Sequence, residues 1–151
     1  MSAQPLSIFL WFNGQAEEAA GCYASVFDEA EVLSVSHLGP DGGMAMVNFT
    51  IRGTSFTALD GGPMYQLSSA TSFVVSCDTQ EEIDHYWTSL GEGGEPLMCG
   101  WLKDRFGVTW QIVPSILGEL MSDPLKAPKV TAAFMKMQKF EIAELIAASA
   151  S

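Results

Sequence analysis

Residues 71–91, TSFVVSCDTQEEIDHYWTSLG, join a predicted strand to a predicted helix. Thr71–Cys77 is an apolar run of the length typical of a buried strand. Thr79, followed three residues later by Glu82, forms a capping box, which is a typical start of an α-helix. Apolar side chains then recur every three or four residues until Gly91, at Ile83, Tyr86, Trp87 and Leu90. This spacing places them on one face of the helix, so that face is expected to pack against a sheet.

The same strand and helix pattern occurs 64 residues earlier in the chain. Residues 5–12 form an apolar, aromatic run that ends at Asn13-Gly14, and a helix with Glu17 and Glu18 in its first turn follows. The 64-residue shift aligns Phe9 with Phe73, Leu10 with Val74, Glu17 with Glu81, Glu18 with Glu82, Tyr23 with Trp87 and Val26 with Leu90. A repeat of this kind indicates two copies of one structural unit.

Three short strands are expected after each helix. Behind the first helix, strand-like segments cover about 31–38, 44–51 and 54–60, separated by turns of hairpin size. The last strand of the second copy, about Val108–Pro114, lies nearer to its helix, so its hairpins must be shorter. We therefore predict an α+β fold in which two paired βαβββ modules form a curved mixed sheet.

The predicted organisation is a single domain over residues 1–151. Module 1 covers about 5–62, module 2 covers about 70–115, and a C-terminal helical segment covers about 116–151. This last segment is expected to be helical from Val130 to about Ala148, with a break near Lys139–Glu141. It would pack on the sheet or on a second subunit.

Charge and cysteine content exclude several classes of protein. Asp and Glu total 18 against 7 Lys and Arg, giving a net charge of −11, so nucleic acid and anionic membranes are not expected partners. The three cysteines are widely spaced, which predicts neither a disulfide framework nor a thiolate zinc site. No leader or membrane-length apolar run is recognisable, so we expect a cytoplasmic protein.

Two modules side by side would leave a concave sheet surface opposite their helices, and such a hollow is the natural place for a ligand. Because strand side chains alternate between faces, one parity of each strand must face the hollow. The alignment predicts that Phe9 and Phe73 pack against the helices, while Ile8, Leu10, Ser72 and Val74 face inward. In the last strand, Thr109, Gln111 and Val113 would face inward, and Val108, Trp110 and Ile112 would face the helix.

Three segments carry a resemblance to a known family: Phe12–Ala19 (FNGQAEEA), Leu59–Pro63 (LDGGP) and above all Cys99–Pro114 (CGWLKDRFGVTWQIVP). With these segments the chain resembles the PhnB-like group of the vicinal oxygen chelate superfamily, relatives of glyoxalase I and the bleomycin-resistance proteins. The resemblance covers nearly the whole chain, including the tail after Pro128. It implies paired βαβββ modules and a homodimer.

Metal enzymes of that superfamily bind their ion with His and Glu on the first, fourth, fifth and eighth strands. The matching positions here are Ile8, Asp60 (or Ala58), Ser72 and Gln111, which offer one carboxylate and one amide. A divalent ion normally needs three or more protein ligands, so we predict no metal and no other cofactor. The resemblance also brings the label 3-demethylubiquinone-9 3-methyltransferase. The residues argue against methyl transfer, because the paired glycines lie in hairpins or loops.

Four residues are the candidate ligand contacts: Asp60, Ser72, Trp101 and Gln111. Asp60 either closes a turn before Gly61 or presents its carboxylate to a ligand. Gln111 either bridges strands or reads a polar ligand, and Trp101 either packs in the core or stacks on a flat ligand. No catalytic set is recognisable in the sequence.

The sequence thus favours a metal-independent homodimer that binds a small molecule of unidentified structure. Two alternatives stay open. One is a metal-dependent enzyme of the superfamily, such as a lyase, isomerase or dioxygenase, and the other is a structural or interaction dimer.

Overall fold

A computed structural model describes residues 5–151 and divides the chain into two compact units. The first unit is Met1–Leu67 and the second is Ser68–Ser151. Each unit contains one four-stranded sheet and a helix packed on it. The predicted α+β architecture of two βαβββ modules is therefore confirmed.

The first unit has five elements: β1 (Ile8–Phe12), α1 (Ala16–Val26), β2 (Ala30–Leu38), β3 (Met44–Ile51) and β4 (Thr54–Asp60). Its strand order is β1-β4-β3-β2, with β1 parallel to β4 and the other pairs antiparallel. The alternation in β3 buries every second side chain, and the Phe49 and Phe56 rings stack at 5.0 Å beneath α1. Burial on one face only fixes the register of the sheet.

The second unit begins with the same five types of element: β5 (Phe73–Cys77), α2 (Gln80–Gly91), β6 (Glu95–Pro96), β7 (Trp101–Lys103) and β8 (Thr109–Pro114). Its strand order, β5-β8-β7-β6, repeats that of the first unit. Thr79 caps α2 as predicted, since the Glu82 N–H donates to Thr79 Oγ1 over 3.2 Å. The short β6 and β7 account for the tighter spacing of the second copy.

The prediction of which side chains face the helices is right for β5 and β8 but wrong for β1. Phe73 contacts Trp110 on the helix side, with Trp110 buried. In β1, however, Leu10 is the buried residue and Phe9 is 57% exposed. The cause is a connection of three residues between β1 and α1, against two between β5 and α2. The helices therefore match at a shift of 64 residues and the strands at 65.

The C-terminal segment forms three helices: α3 (Leu117–Met121), α4 (Ala127–Phe134) and α5 (Ile142–Ala150). The predicted break near Lys139–Glu141 lies between α4 and α5. There, the Gln80 side chain donates to the Phe140 carbonyl over 2.9 Å and accepts the Ile142 N–H over 2.8 Å. These bonds hold the segment against the start of α2, within the second unit.

The same segment also pairs with the loop before β7. The N–H groups of Cys99 and Gly100 donate to the carbonyls of Met137 and Gln138, each over 2.8 Å. Gly100 has φ of +80°, and a Cβ at this position would overlap the Phe140 ring. The segment is therefore part of the packed interior of the second unit. Among residues 5–151, no helix has the length and apolar character needed to span a membrane.

Candidate functional site

Each sheet has one face covered by the helix of its own unit and a second face that we call the open face. On the first open face lie Phe9 and Trp11 of β1, together with side chains of β2, β3 and β4 that share their parity: Ser34, Met46, Asn48, Thr57 and Leu59. On the second lie Val74, Ser76, Trp101, Lys103, Gln111 and Val113. Both faces mix apolar, aromatic and polar groups.

Three hydrogen-bonded polar side chains cross the first open face. Asn48 Nδ2 donates to Ser34 Oγ over 3.0 Å, and Thr57 Oγ1 donates to Asn48 Oδ1 over 2.7 Å. Because β3 lies between β2 and β4, Asn48 is held from both sides. Sequence analysis did not single out any of these three residues.

Aromatic side chains extend this surface along β1. Phe9 lies directly opposite Thr57 and is mostly exposed. Trp11 donates from Nε1 to the Gly62 carbonyl over 2.9 Å and meets Tyr65 edge-on, with ring centroids 4.9 Å apart. Its indole is therefore fixed, while Tyr65 stays 61% exposed.

The second open face brings together three of the four predicted contact residues. Gln111 Nε2 donates to Ser72 Oγ over 2.9 Å, and Trp101 lies opposite Gln111 in the β7–β8 ladder. Val74 lies opposite Gln111 on the other side and is 61% exposed. All three predicted residues are partly exposed.

The strand registers make Thr57 and Gln111 equivalent positions of the repeat. In the first unit, Phe9 pairs with Thr57, which pairs with Asn48. In the second, Val74 pairs with Gln111, which pairs with Trp101. A hydrogen-bonding side chain thus occupies the same place on the open face of each unit.

Asp60 lies apart from these open-face groups. Its carboxylate oxygen Oδ1 accepts the N–H groups of Gly14 at 3.0 Å and Ala16 at 2.8 Å, at the start of α1. An acceptor at this point satisfies N–H groups that have no partner within the helix, and the charge suits the helix dipole. Asp60 therefore caps α1 instead of closing a turn within its own hairpin. Its suggested contact with a ligand stays a prediction.

The predicted metal-ligand positions do not provide a metal site. Ile8 and Ala58 have the parity of the buried Leu10, so both belong to the helix-covered face. The two histidines have other neighbours: His37 lies 3.4 Å from Glu17, and His85 lies 3.5 Å from the Ser89 hydroxyl. Nowhere in residues 5–151 do three His, Cys, Asp or Glu side chains form a metal-binding group. These donors do not fit a divalent ion with three protein ligands.

The second unit also has a groove of about 480 Å³ between the end of α2 and the short strands. It is lined by Trp87, Thr88, Gly91, Glu92, Pro96 and Leu102. The groove lies on the helix side of the sheet and includes none of the predicted contact residues. Sequence analysis assigned Trp87 to the core, whereas the structure leaves it partly exposed.

Comparison with known proteins identifies one family. Its model, described as 3-demethylubiquinone-9 3-methyltransferase, matches residues 4–113. A solved Bacillus cereus structure, described as a putative 3-demethylubiquinone-9 3-methyltransferase, PhnB protein, is 34% identical to the chain. That match covers 74% of this chain and all of the other, with a TM-score of 0.69. The family match ends at residue 113, so the resemblance does not extend to the tail after Pro128 as expected.

Two more distant structures share the fold alone. A protein from Pseudomonas aeruginosa is 21% identical, with 74% of this chain and 98% of the other covered and a TM-score of 0.64. The fosfomycin resistance protein FosX from Listeria monocytogenes, solved with Mn(II) and sulfate, is 18% identical. It matches 79% of this chain and 98% of its own, with a TM-score of 0.58. No curated protein matches the chain.

Proposed function

The chain belongs to the 3-demethylubiquinone-9 3-methyltransferase-labelled, PhnB-like family of the vicinal oxygen chelate superfamily, and from this premise we propose that it binds a small molecule on its open sheet faces, without a metal ion. The equivalence of Thr57 and Gln111 carries the proposal. A duplicated fold that keeps a polar side chain at one open-face position in both copies has the pattern of a ligand surface.

The composition of the open faces supports binding of a flat, largely apolar molecule. Trp101 and Val74 flank Gln111, and Phe9 and Trp11 lie beside Thr57. Ligand sites are typically apolar surfaces with a few fixed polar groups that orient the ligand. Gln111 is fixed in this way by Ser72.

The donor chemistry supports a function without metal. No open-face residue in the register of the parallel pairs β1–β4 and β5–β8 carries an imidazole or carboxylate; these residues are Phe9, Trp11, Thr57, Leu59, Val74, Ser76, Gln111 and Val113. Divalent first-row ions are bound mainly by those groups. No step of a reaction is therefore assigned to a metal ion in this protein.

The methyltransferase description of the family does not fit the strand–helix connections of this chain. A nucleotide-type methyl donor is commonly held by a glycine-rich turn between a parallel strand and a helix. Here the paired glycines lie elsewhere: Gly42-Gly43 joins β2 to β3, Gly61-Gly62 follows β4, and Gly93-Gly94 joins α2 to β6. We therefore assign no methyl-transfer step to the chain.

The proposal includes a homodimer, as the family resemblance implies. Large apolar side chains that are well exposed in the single chain and are not used in the proposed ligand surface support it, among them Leu33, Met64, Leu125 and Met135. Burial of apolar surface in a symmetric contact is the usual driving force for such assembly. Light scattering during gel filtration should give a mass of about twice 16.3 kDa.

A fragment screen by protein NMR tests the proposed binding. Aromatic fragments should shift amide signals of β4 and β8, and Gln111→Ala should weaken binding at β8 about five- to tenfold, because one hydrogen bond is lost. Gln138→Ala, which removes an exposed glutamine outside the sheets, is the matched control and should leave binding unchanged. The proposal would be wrong if no fragment shifted signals on either open face. Metal above about 0.1 equivalent in protein purified without chelators would also contradict it.

A further inference from the structure

Asn48 is the most constrained polar side chain on the first open face. Ser34 on β2 takes one of its N–H groups, and Thr57 on β4 takes one lone pair of its oxygen. A primary amide has two N–H groups and two lone pairs. One donor and one acceptor of Asn48 are therefore left after both strands have been satisfied.

The positions of the two partners determine which groups are left. Ser34 and Thr57 lie on opposite sides of Asn48, since β2 and β4 flank β3. Bonds made sideways to two neighbouring strands use the outer N–H and the outer lone pair of the amide. The adjacent N–H and lone pair at the tip remain, and together they can pair with a donor and an acceptor held side by side, as amides do in bidentate recognition.

The charged residue on the open face beside Asn48 is Glu31, which lies opposite Thr50, two residues along β3 from Asn48. The other neighbouring open-face side chains, Met46, Thr57 and Leu59, are uncharged. A ligand carboxylate placed beside Asn48 would lose hydration and meet a like charge in place of a counter-charge, which is costly. A neutral group would avoid that cost.

On the basis of the proposed small-molecule binding, we infer that Asn48 determines the ligand specificity of the first open face. The ligand presents to Asn48 an uncharged amide-type group, such as a carboxamide or lactam. Such a group offers an acceptor and a donor side by side. Its flat part would lie along Phe9. Ser34 is a positioning residue, because it acts on the ligand only through the orientation of Asn48, whereas Thr57 orients Asn48 and also belongs to the ligand surface.

Three probes of the same ring separate charge from hydrogen-bond pattern: benzamide, benzoate and acetophenone. Titration followed by ¹⁵N NMR should place benzamide at the amides of Asn48 and Thr57. We expect benzamide to bind at least about tenfold more tightly than benzoate, and about fivefold more tightly than acetophenone, which lacks the donor.

The variant Asn48→Asp has nearly the same shape but replaces the amide donor by a charged oxygen. We expect it to weaken benzamide binding about tenfold. The same change at the other asparagine of the chain, Asn13→Asp, lies in an exposed turn and is the matched control with no expected effect. For Ser34→Ala, we expect a smaller loss together with exchange broadening of the Asn48 side-chain NH₂ signals, which report its orientation.

Equal binding of benzamide and benzoate at β3 and β4, or unchanged benzamide affinity in Asn48→Asp, would overturn this inference while leaving the proposed function intact. The same holds if fragments shift only the β5 and β8 signals. If no fragment shifts signals on either open face, both the inference and the proposed function are wrong.

Discussion

Trp110 donates from its indole nitrogen to the carboxylate of Asp104 over 2.9 Å, and both side chains are buried. The other carboxylate oxygen accepts the N–H groups of Phe106 and Val108, at 2.9 and 3.0 Å. One buried carboxylate thus holds the whole β7–β8 turn and fixes the indole at its base. The sequence alone gave no indication of this role for Asp104.

Replacement of Asp104 should destabilise the protein strongly. Asp104→Ala removes the carboxylate that accepts three buried hydrogen bonds, and we expect a loss of about 3 kcal/mol or more in the free energy of unfolding. Asp104→Asn keeps one oxygen but sets an NH₂ group against a donor, so about half that loss is expected. Urea unfolding followed by tryptophan fluorescence measures both.

The control for Asp104 is Asp41→Ala, because Asp41 also accepts a turn N–H, from Gly43 at 3.0 Å, but is exposed. Its loss should stay below about 1 kcal/mol. Equal losses for Asp41→Ala and Asp104→Ala would refute the structural role given to Asp104.

Gly61→Ala should also be destabilising, because a Cβ at residue 61 would overlap the Trp11 indole. Trp11 cannot move freely, since its Nε1 donates to Gly62. We expect a loss of about 1–3 kcal/mol, typical of overpacking. Gly21→Ala is a control with the opposite sign: nothing lies within 4 Å of a Cβ there, and alanine should stabilise α1 by about 0.5–1 kcal/mol. Thermal denaturation of both variants distinguishes a packing effect from a general effect of adding a methyl group.

The ion pair between Asp84 and Lys139 should make a small, pH-dependent contribution to stability. The Lys139 ammonium lies 2.7 Å from Asp84 and, with a bond from Gln80, holds the pKa of Asp84 below its ordinary value of 3.8. A lowered pKa means that the stabilisation is complete above pH 3.8 and is lost as pH falls through the folded-state pKa. Because Asp84 is 48% exposed, we expect less than about 1 kcal/mol.

Comparison of Asp84→Asn with the unchanged protein checks this pH dependence. The difference in the free energy of unfolding should be largest near neutral pH, shrink in about 1 M salt and vanish in acid. A difference that grew as the pH fell would show that the sign is wrong.

Replacement of Asp60 separates its capping role from a role in ligand binding. Asp60→Ala removes the acceptor for Gly14 and Ala16, and we expect a loss of about 1–2 kcal/mol. Asp60→Asn retains an oxygen acceptor and should lose much less. If Asp60→Asn preserved stability but abolished fragment binding, Asp60 would be a ligand contact as well as a cap.

The duplication could be predicted because its signals are local. The capping box at Thr79 and the apolar spacing of α2 need no knowledge of the rest of the chain. The facing of β1 could not be derived in the same way. Which side chains of β1 face the helix depends on the length of the strand–helix connection, which is three residues after β1 and two after β5. Alignment of the two helices does not reveal this difference, so Phe9 was predicted on the wrong face.

The candidate site was predicted in part. Ser72, Trp101 and Gln111 share one open face because β8 keeps the predicted alternation. Asn48 was missed because a single asparagine in a strand carries no signal by itself. The strict alternation of Met44–Ile51 would have placed Asn48 on the less buried face of β3. Its pairing with Ser34 could not be predicted, because it depends on the bulge in β2, which the sequence pattern does not reveal.

Because the Phe140 ring packs against Gly100, the interior of the second unit includes a residue from the C-terminal segment. The family is defined by a match that stops at residue 113, yet the ring that fills the space beside Gly100 comes from beyond that point. The second unit therefore extends beyond the region that the family match covers. A gene shortened to the shared family region would encode a second half with a missing piece of its interior.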